Sequence, residues 1–202
     1  MKFGIIVCDP PWQFRDDLKM SDVKRAASAQ YPTLTIKELK KFQLEEISAP
    51  DCVMALWCPL TFTLDAMDLL AVWGFRFATE YTWMKTTQDG SRMAFGMGHL
   101  FRGVAEKAII GVRGKYKHDL ESRSERGGCL HPATKHSVKP ETLQDSLDAM
   151  FPERDRLEMF ARRNRDNWTC IGNEAPNTKG EDIRDALKRL ALQEQVDQRE
   201  SA

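Results

Sequence analysis

The amino-acid sequence predicts an α/β domain: a mostly parallel sheet with helices on both faces. Two observations carry that expectation. Short apolar runs alternate with amphipathic stretches of helical length, the alternation that joins parallel strands by crossover helices. The first run, Gly4-Ile5-Ile6-Val7-Cys8, is apolar at every position, as a strand buried on both sides requires. At 202 residues the chain is long enough for one domain with a sizeable core. That domain is expected over residues 1–178, with 179–202 as a C-terminal amphipathic tail.

Strands are expected at Gly4–Cys8, Val53–Cys58, Phe75–Met84, Ala105–Val112, Arg156–Ala161 and Trp168–Ile171, each an apolar run between polar segments. Thr35, followed three residues later by Glu38, has capping-box spacing and predicts a helix through Ile47. Thr61–Trp73 places Leu64, Met67, Leu70 and Ala71 on one helical face, and Gly74 follows as the residue that ends it. Pro140 suits the first turn of a helix that turns Leu143, Leu147 and Met150 inward. Beyond Lys179, the spacing of Ile183, Ala186, Leu187, Leu190 and Ala191 predicts a last amphipathic helix. It either caps the sheet or pairs two copies into a homodimer.

Cys8, Cys52, Cys58, Cys129 and Cys170 are odd in number and form no C-x-x-C pair; all but Cys129 lie in apolar strand-like runs and read as reduced core cysteines. Cys129, His131 and His136 match no zinc spacing, and no metal site is expected. Without an apolar stretch near twenty residues or a signal-peptide pattern, no membrane span is expected and the protein is assigned to the cytoplasm.

Net charge is zero, which argues against a protein that coats nucleic acid. The distribution is uneven, however. Residues 85–139 hold 11 lysines and arginines against 5 acids, while both flanks are acidic. Three stretches without clean periodicity, 10–30, 86–98 and 115–135, are expected beside carboxyl strand ends. They hold Lys19, Lys24, Arg25, Arg92, Lys115, Lys117, Arg123, Arg126 and Lys135. Such a set suits local contact with phosphates, or is a solvated surface.

The most specific feature is Asp9-Pro10-Pro11-Trp12. In sheets of this kind ligands gather beyond the carboxyl ends of the strands, and the first strand runs directly into this tetrapeptide. Neither proline has a backbone N–H, so nothing in the loop is expected to compete for its carbonyls. An aromatic ring follows. Acceptors beside a flat surface suit a planar hydrogen donor such as the exocyclic amino group of a nucleobase. Asp-Pro-Pro is also simple turn chemistry.

The wider chain resembles the permuted adenine-N(6) methyltransferases typified by the catalytic subunit of the eukaryotic mRNA adenosine methyltransferase, together with bacterial and phage relatives. The matching segments stand in family order over roughly residues 3–175. They begin with DPPW at Asp9–Trp12, YPTLTIKEL at Tyr31–Leu39 and LWCP at Leu56–Pro59. WGFRF at Trp73–Phe77, TWMK at Thr82–Lys85 and EKAIIGVRG at Glu106–Gly114 follow. HSVKPE at His136–Glu141, LEMFAR at Leu157–Arg162 and NWTCIGNE at Asn167–Glu174 complete the set.

The resemblance implies a Rossmann-like fold that uses S-adenosyl-L-methionine, with permuted motif order. It implies methylation of the adenine amino group in DNA, or the same reaction on RNA. A catalytically silent member that only binds nucleic acid is the reading from another class. Asp9, Pro10, Pro11 and Trp12 are the implied catalytic segment. Cys8, Asp9, Lys139, Glu158, Phe160, Arg162, Asn164, Asn173 and Glu174 are the implied cofactor set, and the basic loops are implied to hold the nucleic acid. Glu174 follows a strand and the Gly172-Asn173 turn, where a ribose-binding carboxylate is usual in nucleotide-binding α/β sheets. In the expected chemistry, Asp9 and the Pro10 carbonyl each accept one amino hydrogen while Trp12 stacks on the base.

Overall fold

The computed structural model describes residues 2–13, 33–96, 100–133 and 138–200. Its strands are β1 (Phe3–Cys8), β2 (Ser48–Cys58), β3 (Arg76–Thr86), β4 (Ala105–Arg113), β5 (Gly128–Pro132), β6 (Arg156–Met159) and β7 (Thr169–Ile171). Its helices are α1 (Ile36–Leu39), α2 (Thr63–Val72), α3 (Thr142–Met150) and α4 (Ile183–Glu200). The strands form one sheet in the order β5-β3-β4-β2-β1-β6-β7. β1 is parallel to β2 and β6, β6 to β7, and β3 to β5. β4 alone runs the other way, antiparallel to both β2 and β3. The sheet is therefore mostly parallel, as expected, with one reversed strand near its middle.

Successive strand residues face opposite sides, and each side has its own core. On one side Ile6, Cys8, Met54 and Leu56 pack with Leu39 of α1, Leu69 and Leu70 of α2, and Ile183 and Ala186 of α4. On the other, Ile5, Val7, Ala55 and Trp57 pack with Leu143 and Leu147 of α3. All six residues of β1 are buried. Its Phe, two Ile and Val contribute on the order of 10 kcal/mol of transfer free energy, set against the entropy of ordering the strand. Among the described residues no helix is long and apolar enough to cross a membrane.

Local signals held where neighbours within a few residues decide. The Thr35 hydroxyl accepts from the Glu38 N–H at 3.2 Å, and the Glu38 carboxylate accepts from the Thr35 N–H at 2.8 Å, closing the capping box. Gly74 takes φ +81° just past α2. There the Phe75 N–H reaches the Leu70 carbonyl and the Gly74 N–H reaches that of Ala71, the paired bonds of a Schellman end.

Other expectations are corrected. The helix expected through Ile47 stops after α1, because the Leu39 carbonyl accepts the Trp73 indole N–H at 3.1 Å and the Phe42 N–H at 3.1 Å. The chain then turns, and a 3₁₀ turn at Leu44–Glu46 carries Leu44 and Ile47 into the core. α2 is rotated from the expected phase: Ala66, Leu69 and Leu70 are buried, while Leu64, Met67 and Ala71 face out. Two buried aromatics, Phe62 before the helix and Trp73 after it, lie on the Ala66–Leu69–Leu70 side and set the rotation. Pro140 precedes α3 by two residues rather than lying in its first turn. β5 lies inside a stretch expected to be irregular. As an edge strand it tolerates Gly128 and Pro132 at its ends.

Candidate active site

β1 lies between β2 and β6, so the residue that follows it stands in the interior of the sheet's carboxyl edge. That residue is Asp9, whose N–H points at the Met159 carbonyl of β6 at 3.4 Å. Beyond it the loop is tied down. The Trp12 N–H donates to the Pro10 carbonyl at 2.9 Å, and the Leu34 N–H to the Pro11 carbonyl at 2.9 Å. The expectation of uncontested carbonyls is thus corrected, although a carbonyl has a second lone pair with which Pro10 can still accept. The Trp12 ring is 5% exposed and lies 5.1 Å from the Phe62 ring, and its indole N–H donates to the Trp57 carbonyl at 2.9 Å. An indole with an apolar pocket and a buried acceptor is an anchor. It fixes the loop to β2 and does not present the open stacking face expected of it.

A charged cluster surrounds the Asp9 carboxylate. Lys139 Nζ donates to both of its oxygens, at 2.9 and 2.8 Å, and lies 3.3 Å from a carboxylate oxygen of Glu106. Glu106 is also paired with Lys85. The reversal of β4 is what brings Glu106 here: antiparallel pairing sets the start of β4 beside the end of β3, with Glu106 opposite Trp83. Burial opposes the charge on Lys139, but Asp9 and Glu106 outweigh it and hold the ammonium above the ordinary lysine range. Burial likewise opposes the charge on Glu106, and Lys139 and Lys85 pull its carboxyl below the usual value. The result is two acids and two ammonium groups, mostly shielded from water, at the carboxyl end of β1. Lys85 and Glu106 were not singled out from the sequence. Both lie inside family motifs, but nothing along the chain reveals the strand register that joins them.

The expected cofactor residues surround the adjacent ends of β6 and β7. Glu158 lies opposite Val7 of β1 and Cys170 of β7, is buried, and has a carboxylate oxygen with no hydrogen-bond partner among the described residues. Burial pushes its carboxyl up, against the pull of Arg163 and Gln144. Phe160 ends the strand short of the expected Ala161 by adopting φ +60°, a conformation that costs a non-glycine residue of order 1–3 kcal/mol. Next to it Gly172 has no room for a side chain: a Cβ there would lie 2.7 Å from the Ala161 carbonyl oxygen. The loops after β6 and β7 therefore meet. Arg162 and Glu174 pair at 3.6 Å, and the Asn164 amide donates to Asn177 at 3.0 Å. Phe160, Arg162, Asn164, Asn173 and Glu174 share this rim. Cys8 is fully buried, and burial first, then Asp9, push its thiol well up, so it offers shape and no charge.

The basic set is divided. Arg92 lies in the connection from β3 to β4, at the Asp9 end. Lys115 and Lys117 follow the carboxyl end of reversed β4, which sits beside the start of β2, and the Lys115 N–H is bound by Asp51 there. Their loop follows a carboxyl strand end, as expected, but the reversal of β4 puts that end at the opposite edge of the sheet from Asp9. Arg123 and Arg126 lie on the return toward β5, whose first residue pairs with Thr82 in the middle of β3. Lys19, Lys24, Arg25 and Lys135 lie outside the described residues, as does His136.

Comparison with known proteins agrees with this architecture. Residues 3–174 match the MT-A70 family. The chain is 28% identical over 193 residues to the Type II methyltransferase M.MunI of Mycoplasma sp, covering 88% of this chain and 80% of that protein. It is 28% identical over 186 residues to the N(6)-adenine-specific methyltransferase METTL4 of Homo sapiens, covering 85% of this chain and 37% of that one. Against the N(6)-adenosine-methyltransferase catalytic subunit METTL3 of Homo sapiens it is 25% identical over 180 residues, 86% of this chain and 28% of that one. The chain thus spans well under half the length of the two human relatives. With the family match running from the first strand of the sheet to Glu174 just past its last, the chain belongs to the MT-A70 family of adenine-N6 methyltransferases.

Proposed function

We propose that the protein transfers a methyl group from S-adenosylmethionine to the exocyclic amino group of adenine in DNA, acting in the cytoplasm. One observation carries this reading: an aspartate at the end of the buried strand β1, held by Lys139 beside a second acid to which that lysine can turn. DNA is favoured because the relative whose length is most nearly matched, of the three compared, is a Type II methyltransferase. The residues at hand also suit the cofactor. The unpartnered, buried oxygen of Glu158 answers a cationic or hydrogen-donating group, and the Glu174 carboxylate can accept from paired ribose hydroxyls. Phe160, Arg162, Asn164 and Asn173 would form the rest of that rim. When bound, S-adenosylmethionine supplies an electrophilic methyl group on its sulfonium.

The remaining chemistry belongs to the chain. The amino nitrogen of adenine is a poor nucleophile because its lone pair is delocalised into the ring. Asp9 accepts one amino hydrogen and the second lone pair of the Pro10 carbonyl accepts the other, which fixes the direction of the nitrogen lone pair. To free an Asp9 oxygen, Lys139 shifts toward Glu106, already 3.3 Å from its Nζ. The Asp9 carboxylate then stabilises the positive charge that develops on nitrogen, and the amino proton displaced by the incoming methyl passes along that hydrogen bond to solvent. Trp12 holds the loop that carries these acceptors.

The deciding measurement is mass spectrometry of nucleosides from DNA and RNA incubated with the protein and isotope-labelled cofactor. N6-methyladenine in DNA is the expected product. Label in RNA alone would transfer the reading to RNA, and label in neither would sink it. Calorimetry with Glu174→Ala should show cofactor binding weakened by roughly 1–3 kcal/mol, the cost of leaving ribose hydroxyls unpaired.

A further inference from the structure

Four large apolar side chains stand in solvent at the Asp9 end of the sheet: Met93, Phe95, Leu100 and Phe101 are 57%, 66%, 86% and 83% exposed. They belong to the two limbs, 87–96 and 100–104, of the connection between β3 and β4. Those limbs are hydrogen-bonded into a ribbon rooted on the charged cluster. The Lys85 N–H donates to the Val104 carbonyl at 2.9 Å, the Ala94 N–H to the Lys85 carbonyl at 2.8 Å, and the Gly96 N–H to the Gly103 carbonyl at 2.7 Å. The Gln88 side chain fastens the ribbon to Ala133 at 2.6 Å. Two arginines border these apolar side chains. Arg92 is exposed, and the Arg102 guanidinium lies 5.5 Å over the Phe95 ring.

We propose that this ribbon is a wedge that enters duplex DNA and levers the target adenine out toward Asp9. The proposal rests on the methyltransferase reading and adds how the substrate is reached. Asp9 is only 28% exposed and Lys139 13%, so the amino group of a stacked, paired adenine cannot meet them. The base has to leave the helix, at a cost of a few kcal/mol. Phe, Leu and Met are the side chains that separate base steps, and cations beside them meet the phosphates on either side. Exposed apolar side chains edged by arginines are complementary to base steps inside a phosphate backbone. The ribbon is also joined to Glu106 through Lys85, so insertion and the cluster around Asp9 share one support.

The test uses random-sequence DNA prepared as complete duplexes and as single strands, with wild type and Phe95→Ala/Phe101→Ala compared by N6-methyladenine yield. The variant should lose ~10-fold or more on duplexes, where unstacking a step costs a few kcal/mol. On single strands, where no step need be opened, it should stay within about two-fold of wild type. Phe101→Leu, which keeps an apolar wedge, should retain duplex activity. Equal losses on both pools, or none on either, would overturn the wedge. So would sedimentation showing a wild-type dimer that the double variant breaks, since the patch would then pair two copies of the chain. If wild type methylates neither pool, the methyltransferase reading fails instead. The wedge is then judged by fluorescence anisotropy on the same pools: selective weakening on duplexes supports it, and unchanged binding overturns it.

Discussion

At the carboxyl end of β1, Lys139 holds Asp9 through a single nitrogen, with Glu106 in reach of that same nitrogen. At the amino end, Arg154 holds Asp119 through a two-pronged fork, Nε to one oxygen at 2.8 Å and Nη2 to the other. Two more of its N–H groups are engaged, by the Tyr116 carbonyl at 2.9 Å and the Gly4 carbonyl at 3.3 Å, and its guanidinium lies 4.1 Å over the Phe151 ring. A Cβ at Gly4 would come within 2.8 Å of the Arg154 side chain. Both ends bury a cation against an aspartate, and the difference lies in the cation. A planar fork anchored at once to a carboxylate and two backbone carbonyls has one arrangement and acts as a staple. An ammonium between two acids can exchange partners, which lets Asp9 take up a substrate hydrogen without leaving a buried charge alone.

The largest expected effect belongs to the staple. Arg154→Ala should cost about 3 kcal/mol in urea unfolding, since it leaves two backbone carbonyls and a carboxylate without their donor at about 1–3 kcal/mol each, with turnover per folded molecule little changed. Lost turnover at unchanged stability would erase the contrast between the two ends. This substitution also has a pH signature. The Arg154 fork, more than anything else, holds the Asp119 carboxyl below its usual range. A lowered folded pKa means that stability is present above the unfolded value, about 3.9, and is lost as pH falls through the folded one. Wild type should lose stability on that descent, and Arg154→Ala should lose less.

Next comes Asp9→Ala, which should lower turnover by at least ~100-fold, the effect of removing one preorganised transition-state contact, while the unfolding curve stays near wild type. Asp9→Asn sharpens the point. It keeps the shape and one oxygen, so near-complete loss assigns the effect to charge, and near-wild-type turnover assigns it to geometry. Normal methylation by both variants would leave the Asp9 end without its role. Glu106→Gln removes the alternative partner of Lys139 and should cost turnover ~10-fold, less than the loss of a direct transition-state contact. Combined with Lys139→Gln it should add little further loss, because the two act through one exchange. Full additivity would mean that Lys139 does not exchange partners. The smallest effect is expected of Lys115→Glu with Lys117→Glu. Far from Asp9, the pair should change nucleic-acid affinity by no more than about two-fold and leave the salt slope as it was. A large drop in either would mean that the amino end also binds nucleic acid.

Features settled within a few residues were legible along the chain. Asp9 follows an apolar strand whatever the rest does, Thr35 and Glu38 close a cap by their spacing, and Gly74 ends a helix because it accepts φ +81° without strain. The order of the family motifs was legible too, and with it the family. The direction of β4 was not. An apolar run reads alike in both directions, yet reversing that strand carries Glu106 to the Asp9 end and Lys115 away from it. Nor was the fate of Trp12 or the rotation of α2 visible. Each turns on which of several apolar side chains wins a buried place among partners such as Trp57 and Phe62, or Phe62 and Trp73, tens of residues away or at the far end of the helix. Burial free energy depends on area removed from water and is indifferent to sequence position. Strand direction, register and the choice among competing apolar faces are therefore fixed only when distant segments meet.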